Sequence, residues 1–121
     1  MLKVIKKVNR PWGYFEVLEK TPTFWIKKIV VRPEQALSLQ KHRKRDEFWK
    51  IVSGLGTLQI ENENYLVQSG HINNQDEFTI HRGTAHRITN MSDFFDLIFY
   101  EIAEGLCEEN DIVRLEDRYG R

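Results

Sequence analysis

The chain contains one cysteine, Cys107, so no internal disulfide can staple the fold. It has only three prolines, and no repeat, low-complexity stretch or flexible linker interrupts it. No apolar run approaches the roughly 20 residues that cross a bilayer. The start, Met1-Leu2-Lys3-Val4-Ile5-Lys6-Lys7, lacks the apolar core of a secretory leader. A cytoplasmic setting, with no membrane partner, is therefore the expectation. Neither sign of charge dominates, with 18 basic and 18 acidic residues, which argues against a dedicated nucleic-acid binder. No glycine-rich phosphate loop is found, and Gly54-Leu55-Gly56 reads as a turn. Paired Cys-x-x-Cys groups and a Gly-x-Ser-x-Gly elbow are both lacking.

What is there is β-structure. The 121 residues fit a single domain, 1–121. Phe24 to Val31 is rich in β-branched and aromatic residues, with Trp25, Lys27, Ile29 and Val31 sharing one face. Further strands are expected over 14–18, 36–42, 48–52, 56–60, 65–67, 78–80, 86–89 and 94–102. Gly, Pro and Asn punctuate them. Only 108–117 has a short helix-like stripe, through Ile112, Leu115 and Tyr119. Many short strands joined by turns predict a sandwich or small barrel.

Charge is unevenly placed. Residues 41–50 hold five Lys or Arg against two acids, and residues 101–121 hold seven acids against three Arg. A basic mouth of this kind attracts anions. His42 ends one expected strand and Glu47 begins the next, while His86 lies on a distant one. Imidazole and carboxylate together suit zinc, manganese or a similar divalent ion. The same residues also read as hydrogen-bonded histidines and a polar turn, and spacing alone does not choose. Lys44 offers no lone pair to a metal, yet its charge could stabilise a developing oxyanion. Arg43, Arg45, Arg87, Arg114, Arg118 and Arg121 are candidates for bidentate phosphate contact. His71 and His81 are candidate acid–base groups or ordinary surface histidines. Trp12, Trp25, Trp49, Tyr65 and Tyr119 read either as core or as the wall of a sugar site.

Several segments carry a resemblance. Arg10-Pro11-Trp12-Gly13, Leu37-Ser38-Leu39-Gln40, Arg45-x-Glu47-x-Trp49, Val52-Ser53-Gly54 and the terminal Asp111 to Arg121 resemble the type II mannose-6-phosphate isomerase domain. That domain is a cupin, found in bifunctional proteins beside a mannose-1-phosphate guanylyltransferase. The resemblance implies an all-β cupin double-stranded β-barrel (jelly roll) with a short C-terminal extension, pairing as a homodimer. It implies His42, Glu47 and His86 as metal ligands, and Arg45, Arg118 and Arg121 as residues that hold the substrate phosphate. Lys44 stands at the second histidine of the family pattern Gln-x-His-x-His-Arg-x-Glu-His-Trp, and Phe48 at its third. One ligand of the usual set is therefore replaced, and the zinc, manganese or cobalt ion is expected to be held weakly or not at all. The expected activity is isomerisation of mannose 6-phosphate to fructose 6-phosphate, with Glu47, Lys44 and His81 as catalytic candidates. The alternatives are a cupin that binds a sugar phosphate or nucleotide sugar without turnover, another cupin isomerase or epimerase acting on a related sugar nucleotide, and a regulatory partner of a guanylyltransferase.

Overall fold

A computed structural model describes residues 3–69 and 77–121. Eleven strands are present among them: β1 (Lys6–Arg10), β2 (Gly13–Thr21), β3 (Phe24–Val31), β4 (Leu39–Lys41), β5 (Arg45–Ser53), β6 (Leu55–Ile60), β7 (Glu63–Gln68), β8 (Glu77–Ile80), β9 (His86–Asn90), β10 (Leu97–Gly105) and β11 (Val113–Glu116). They form a six-stranded sheet, β1-β2-β3-β10-β5-β8, and a five-stranded sheet, β11-β4-β9-β6-β7. Every pairing is antiparallel. The inner faces of the two sheets enclose one core, and the expected all-β barrel is what the chain adopts.

Period-two alternation decides which side chains enter that core. Ile29 and Val31 of β3, Trp49 and Ile51 of β5, and Leu97 and Phe99 of β10 point inward, against Leu58, Val67 and Ile88 of the facing sheet. Each such side chain contributes about 1.5–3 kcal/mol when fully buried. Followed toward one end of the barrel, the same inward rows change character. They become Lys27 and Trp25 on β3, Glu47 and Arg45 on β5, and Glu101 and Ala103 on β10, all buried. Strand register sets them side by side, with Glu101 opposite both Lys27 and Trp49, and Ala103 opposite both Trp25 and Glu47. The small Ala103 leaves room between a tryptophan and a glutamate. Gly105 follows with φ of +125°, where an added Cβ would stand 2.4 Å from the Lys44 carbonyl oxygen. A side chain there would push the basic turn away.

Several elements depart from the sequence expectation. Residues 113–116 are a strand, not a helix, because Val113 and Arg114 pair with Lys41 and Gln40. Leu115 is exposed, so no apolar stripe exists for a helix to bury. Strand β1 was not expected, since its mostly exposed KKVNR sequence shows no apolar alternation; it is held by its ladder to β2. The last inner strand starts at Leu97 rather than 94, leaving Phe94 and Phe95 exposed. His71 lies outside the described residues.

Candidate metal centre and anion cleft

His42 follows β4, Glu47 lies within β5 and His86 opens β9, so three strands deliver one residue each. One ligand atom from each lies within 4.8 Å of the others. His42 Nε2 is 3.4 Å from Glu47 Oε2, and His86 Nε2 is 3.9 Å from Glu47 Oε1. All three side chains are buried.

Their orientation is imposed from behind. His42 Nδ1 donates to the Asp111 carbonyl at 2.7 Å, and His86 Nδ1 donates to the Thr84 carbonyl at 2.9 Å. A carbonyl oxygen can only accept, so each Nδ1 carries the proton and each Nε2 keeps its lone pair. Asp111 also ties down the basic turn, its carboxylate accepting the backbone N–H of Arg43 and Lys44 at 2.9 Å each. The backbone N–H of Gly83 donates to the His42 carbonyl at 2.6 Å, joining the two histidine segments directly.

Electrostatics follows. Burial pushes the pKa of both imidazoles down, which keeps them neutral and able to bind a cation. Burial opposes ionisation of Glu47, but the Arg45 guanidinium paired with it keeps the carboxylate below its usual range even with both imidazoles neutral. Arg45 Nε donates to Glu47 Oε2 at 2.9 Å, and Trp49 Nε1 donates to Oε1 at 3.0 Å. Arg45 Nη2 also stands 3.3 Å from His42 Nε2. Among the described residues, His86 Nε2 is a buried polar atom with no partner. An orphaned lone pair of this kind costs about 1–3 kcal/mol. A divalent ion bound between the two Nε2 atoms and the Glu47 carboxylate would satisfy it. The donor set of two neutral imidazoles and one ionised carboxylate suits such an ion, with positions left open to water or substrate. These three residues could therefore hold a metal.

Beside this centre opens a cleft of about 120 Å³, large enough for several waters or part of a small ligand. His42, Arg45 and Glu101 line its depth, with Lys27 and Glu109, while Arg10, Arg114 and Arg121 line it from β1, β11 and the terminal segment. Lys27 is neutralised by Glu109 at 2.8 Å, and Arg121 by Asp117 at 2.8 Å. Among the described residues, Arg10 and Arg114 have no carboxylate partner within salt-bridge distance. Burial and the neighbouring Arg121 push the Arg114 pKa down, against the weaker opposing charge of Asp117. Glu101 behaves oppositely. Burial, then the charge of Glu47, raises it to about 8.

The structure does not bring every candidate to this place. Lys44 is exposed and points its ammonium toward Glu108, 3.9 Å away, so it adds no charge over the cleft. The Asp111 clamp on its backbone turns it outward. His81 is also exposed. It lines a different groove, with Asp46, Glu47, Phe48 and Thr79, and is not among the residues that line the cleft. Arg118 donates to the Glu34 carbonyl at 2.8 Å, away from the cleft, whereas Arg121 is retained at it. Arg45 reaches the cleft but already has partners in Glu47 and the Glu108 carbonyl. Arg87 pairs with Glu116. Sequence reasoning missed Glu101 and Lys27 as cleft residues. Their signal was a charged side chain on the inward register of an otherwise apolar row. Arg10 entered only as part of the segment Arg10-Pro11-Trp12-Gly13, with no role of its own.

A two-sheet β-barrel with histidine and glutamate ligands at one mouth is the cupin arrangement. The chain belongs to the mannose-6-phosphate isomerase C-terminal family, whose model matches residues 1–117. It is 35% identical over 117 residues to a mannose-1-phosphate guanylyltransferase of Escherichia coli, and 38% identical over 117 residues to the xanthan biosynthesis protein XanB of Xanthomonas campestris. Each match covers 96% of this chain but only 24% of the relative, so the chain spans about a quarter of their length. Among solved structures, the capsular polysaccharide assembling protein CapF of Staphylococcus aureus shares the fold. Its TM-score is 0.78 at 21% identity, covering 93% of this chain and 34% of that one. Pac13 from Streptomyces does so with a TM-score of 0.76 at 13% identity, covering 96% of this chain and 90% of that one.

Proposed function

We propose that this domain interconverts mannose 6-phosphate and fructose 6-phosphate at the cleft beside His42, Glu47 and His86. The observation that carries the reading is the orphaned His86 Nε2 facing an ionised Glu47, next to a cleft rimmed by arginines. Arg10, Arg114 and Arg121 bind the doubly charged phosphate, a role for which planar guanidinium groups are suited. His42, Glu47 and His86 hold a divalent ion, which when bound would polarise the substrate's oxygens and lower the barrier to forming an oxyanion. Their rear hydrogen bonds keep both imidazoles in the tautomer that this requires. Membership of the isomerase family supports the substrate class.

A coupled assay for fructose 6-phosphate tests this with zinc, manganese or cobalt added in turn. Metal-dependent turnover is expected, and no product with any ion would refute it. One observation favours a second reading, binding without turnover. Arg45 sits on the Glu47 carboxylate and near His42 Nε2, where a metal would have to compete. Calorimetry showing mannose 6-phosphate affinity in a chain that never turns it over would select that alternative.

A further inference from the structure

Three carboxylates stand at the cleft or its floor, and two of them are committed. Glu47 receives Arg45 and Trp49, and Glu109 receives the ammonium of Lys27. Glu101 is different. Among the described residues its one side-chain partner is Trp25, whose Nε1 donates to Oε2 at 2.8 Å. The other oxygen, Oε1, has no partner among them, and the side chain lines the cleft from the inward row of β10. Both imidazoles direct Nε2 at Glu47, and His81 and Lys44 lie outside. Among the described residues, Glu101 is thus the one carboxylate lining the cleft that has no ion-pair partner, since Glu109 is held by Lys27.

We infer that Glu101 is the catalytic residue that carries the proton between the two adjacent carbons of the sugar phosphate. This deepens the isomerase reading and rests on it. The Glu101 carboxylate takes the proton from the carbon beside the aldehyde of the open-chain substrate. The electron pair of that C–H bond becomes a carbon–carbon π bond, and the aldehyde oxygen takes the negative charge. The carboxyl group then returns its proton to the former aldehyde carbon. The neighbouring hydroxyl becomes the ketone, its proton passing to the first oxygen. Atoms and electrons balance with no co-reactant. Trp25 fixes one oxygen, so the other keeps a defined position over the substrate.

Glu101→Gln tests the assignment, because the amide oxygen can still accept from Trp25. Parent and variant are assayed with mannose 6-phosphate and added divalent metal, and substrate affinity is measured by calorimetry. The variant should lose about 100-fold or more in kcat. Its substrate affinity should stay within about 3-fold, since the lost interaction belongs to the transition state. The parent's rate should rise with pH as Glu101 ionises among Lys27, Arg45, Glu47 and Glu109, and the variant's residual rate should not. Glu101→Asp should recover part of the activity. A variant kcat within about 5-fold of the parent overturns the assignment and leaves the isomerase reading standing. No turnover in the parent overturns both. If circular dichroism shows that Glu101→Gln does not fold, Glu101→Asp decides, and a pH–rate profile identical to the parent's overturns the assignment.

Discussion

Replacing Arg45 by methionine exposes the competition built into the candidate metal centre. The guanidinium is buried, donates to Glu47 Oε2 at 2.9 Å and to the Glu108 carbonyl at 2.9 Å, and lies 4.4 Å from the centroid of the Trp25 ring. Removing it leaves the Glu47 carboxylate buried without its permanent counter-charge. Breaking a buried pair in this way costs about 3–5 kcal/mol. The same change removes a positive charge 3.3 Å from His42 Nε2, close to any cation that this nitrogen would hold. Two unit charges at about 4 Å repel by about 4 kcal/mol at an effective dielectric constant of 20. Even half of that corresponds to about a 30-fold change in affinity. The metal-free variant should therefore melt well below the parent, and zinc or cobalt should bind it at least about 30-fold more tightly and restore most of the lost stability. Calorimetric titration and thermal melting with and without metal measure both effects. A variant that binds metal no better than the parent would refute the idea that guanidinium and metal compete for one carboxylate.

Three further outcomes follow from the same geometry. Arg114→Ala should weaken mannose 6-phosphate binding by about 10-fold or more in calorimetry, while Arg118→Ala, whose side chain leaves the cleft, should change it less than about 2-fold. Because Glu101 is raised from 4.5 to about 8, it contributes stability that is complete below about pH 4.5 and lost as pH rises through 8; chemical denaturation of Glu101→Gln between pH 5 and 9 should show that loss reduced. Lys44→His should alter metal affinity by less than about 3-fold, since the position faces Glu108 rather than the trio; clear tightening would show that the turn can swing inward.

The barrel was legible because the apolar residues alternate cleanly. Trp25, Ile29 and Val31 announce an inner face, and Lys27 interrupts it. The convergence of His42, Glu47 and His86 was legible as residue types at strand ends, where the family resemblance picked them out from the other polar residues. What escaped was direction. Lys44 and Arg45 are neighbours in a basic run, yet one faces solvent and the other the core. Arg45 belongs to the inward row of β5, while Lys44 sits in the preceding turn, whose backbone is held by the carboxylate of Asp111, 67 residues away from Lys44 and beyond the reach of any local pattern. The C-terminal arginines were misassigned in part for the same reason. Read as a helix, 108–117 does not single out Arg114, whereas as a strand paired with β4 it brings Arg114 to the cleft. Glu101 escaped because a lone acid in a strand reads as solvent-facing until its register partners, Lys27 and Trp49, are known.

Side chains from three strand segments converge on one candidate site for a divalent ion, and direct titration of the metal-free protein measures its occupancy. Calorimetry with cobalt or zinc should give one ion per chain in the parent and no measurable site in His86→Ala, with His86→Ala still folded by circular dichroism. Metal binding that survives loss of His86 unchanged, or a parent that takes up no ion at all, would contradict it.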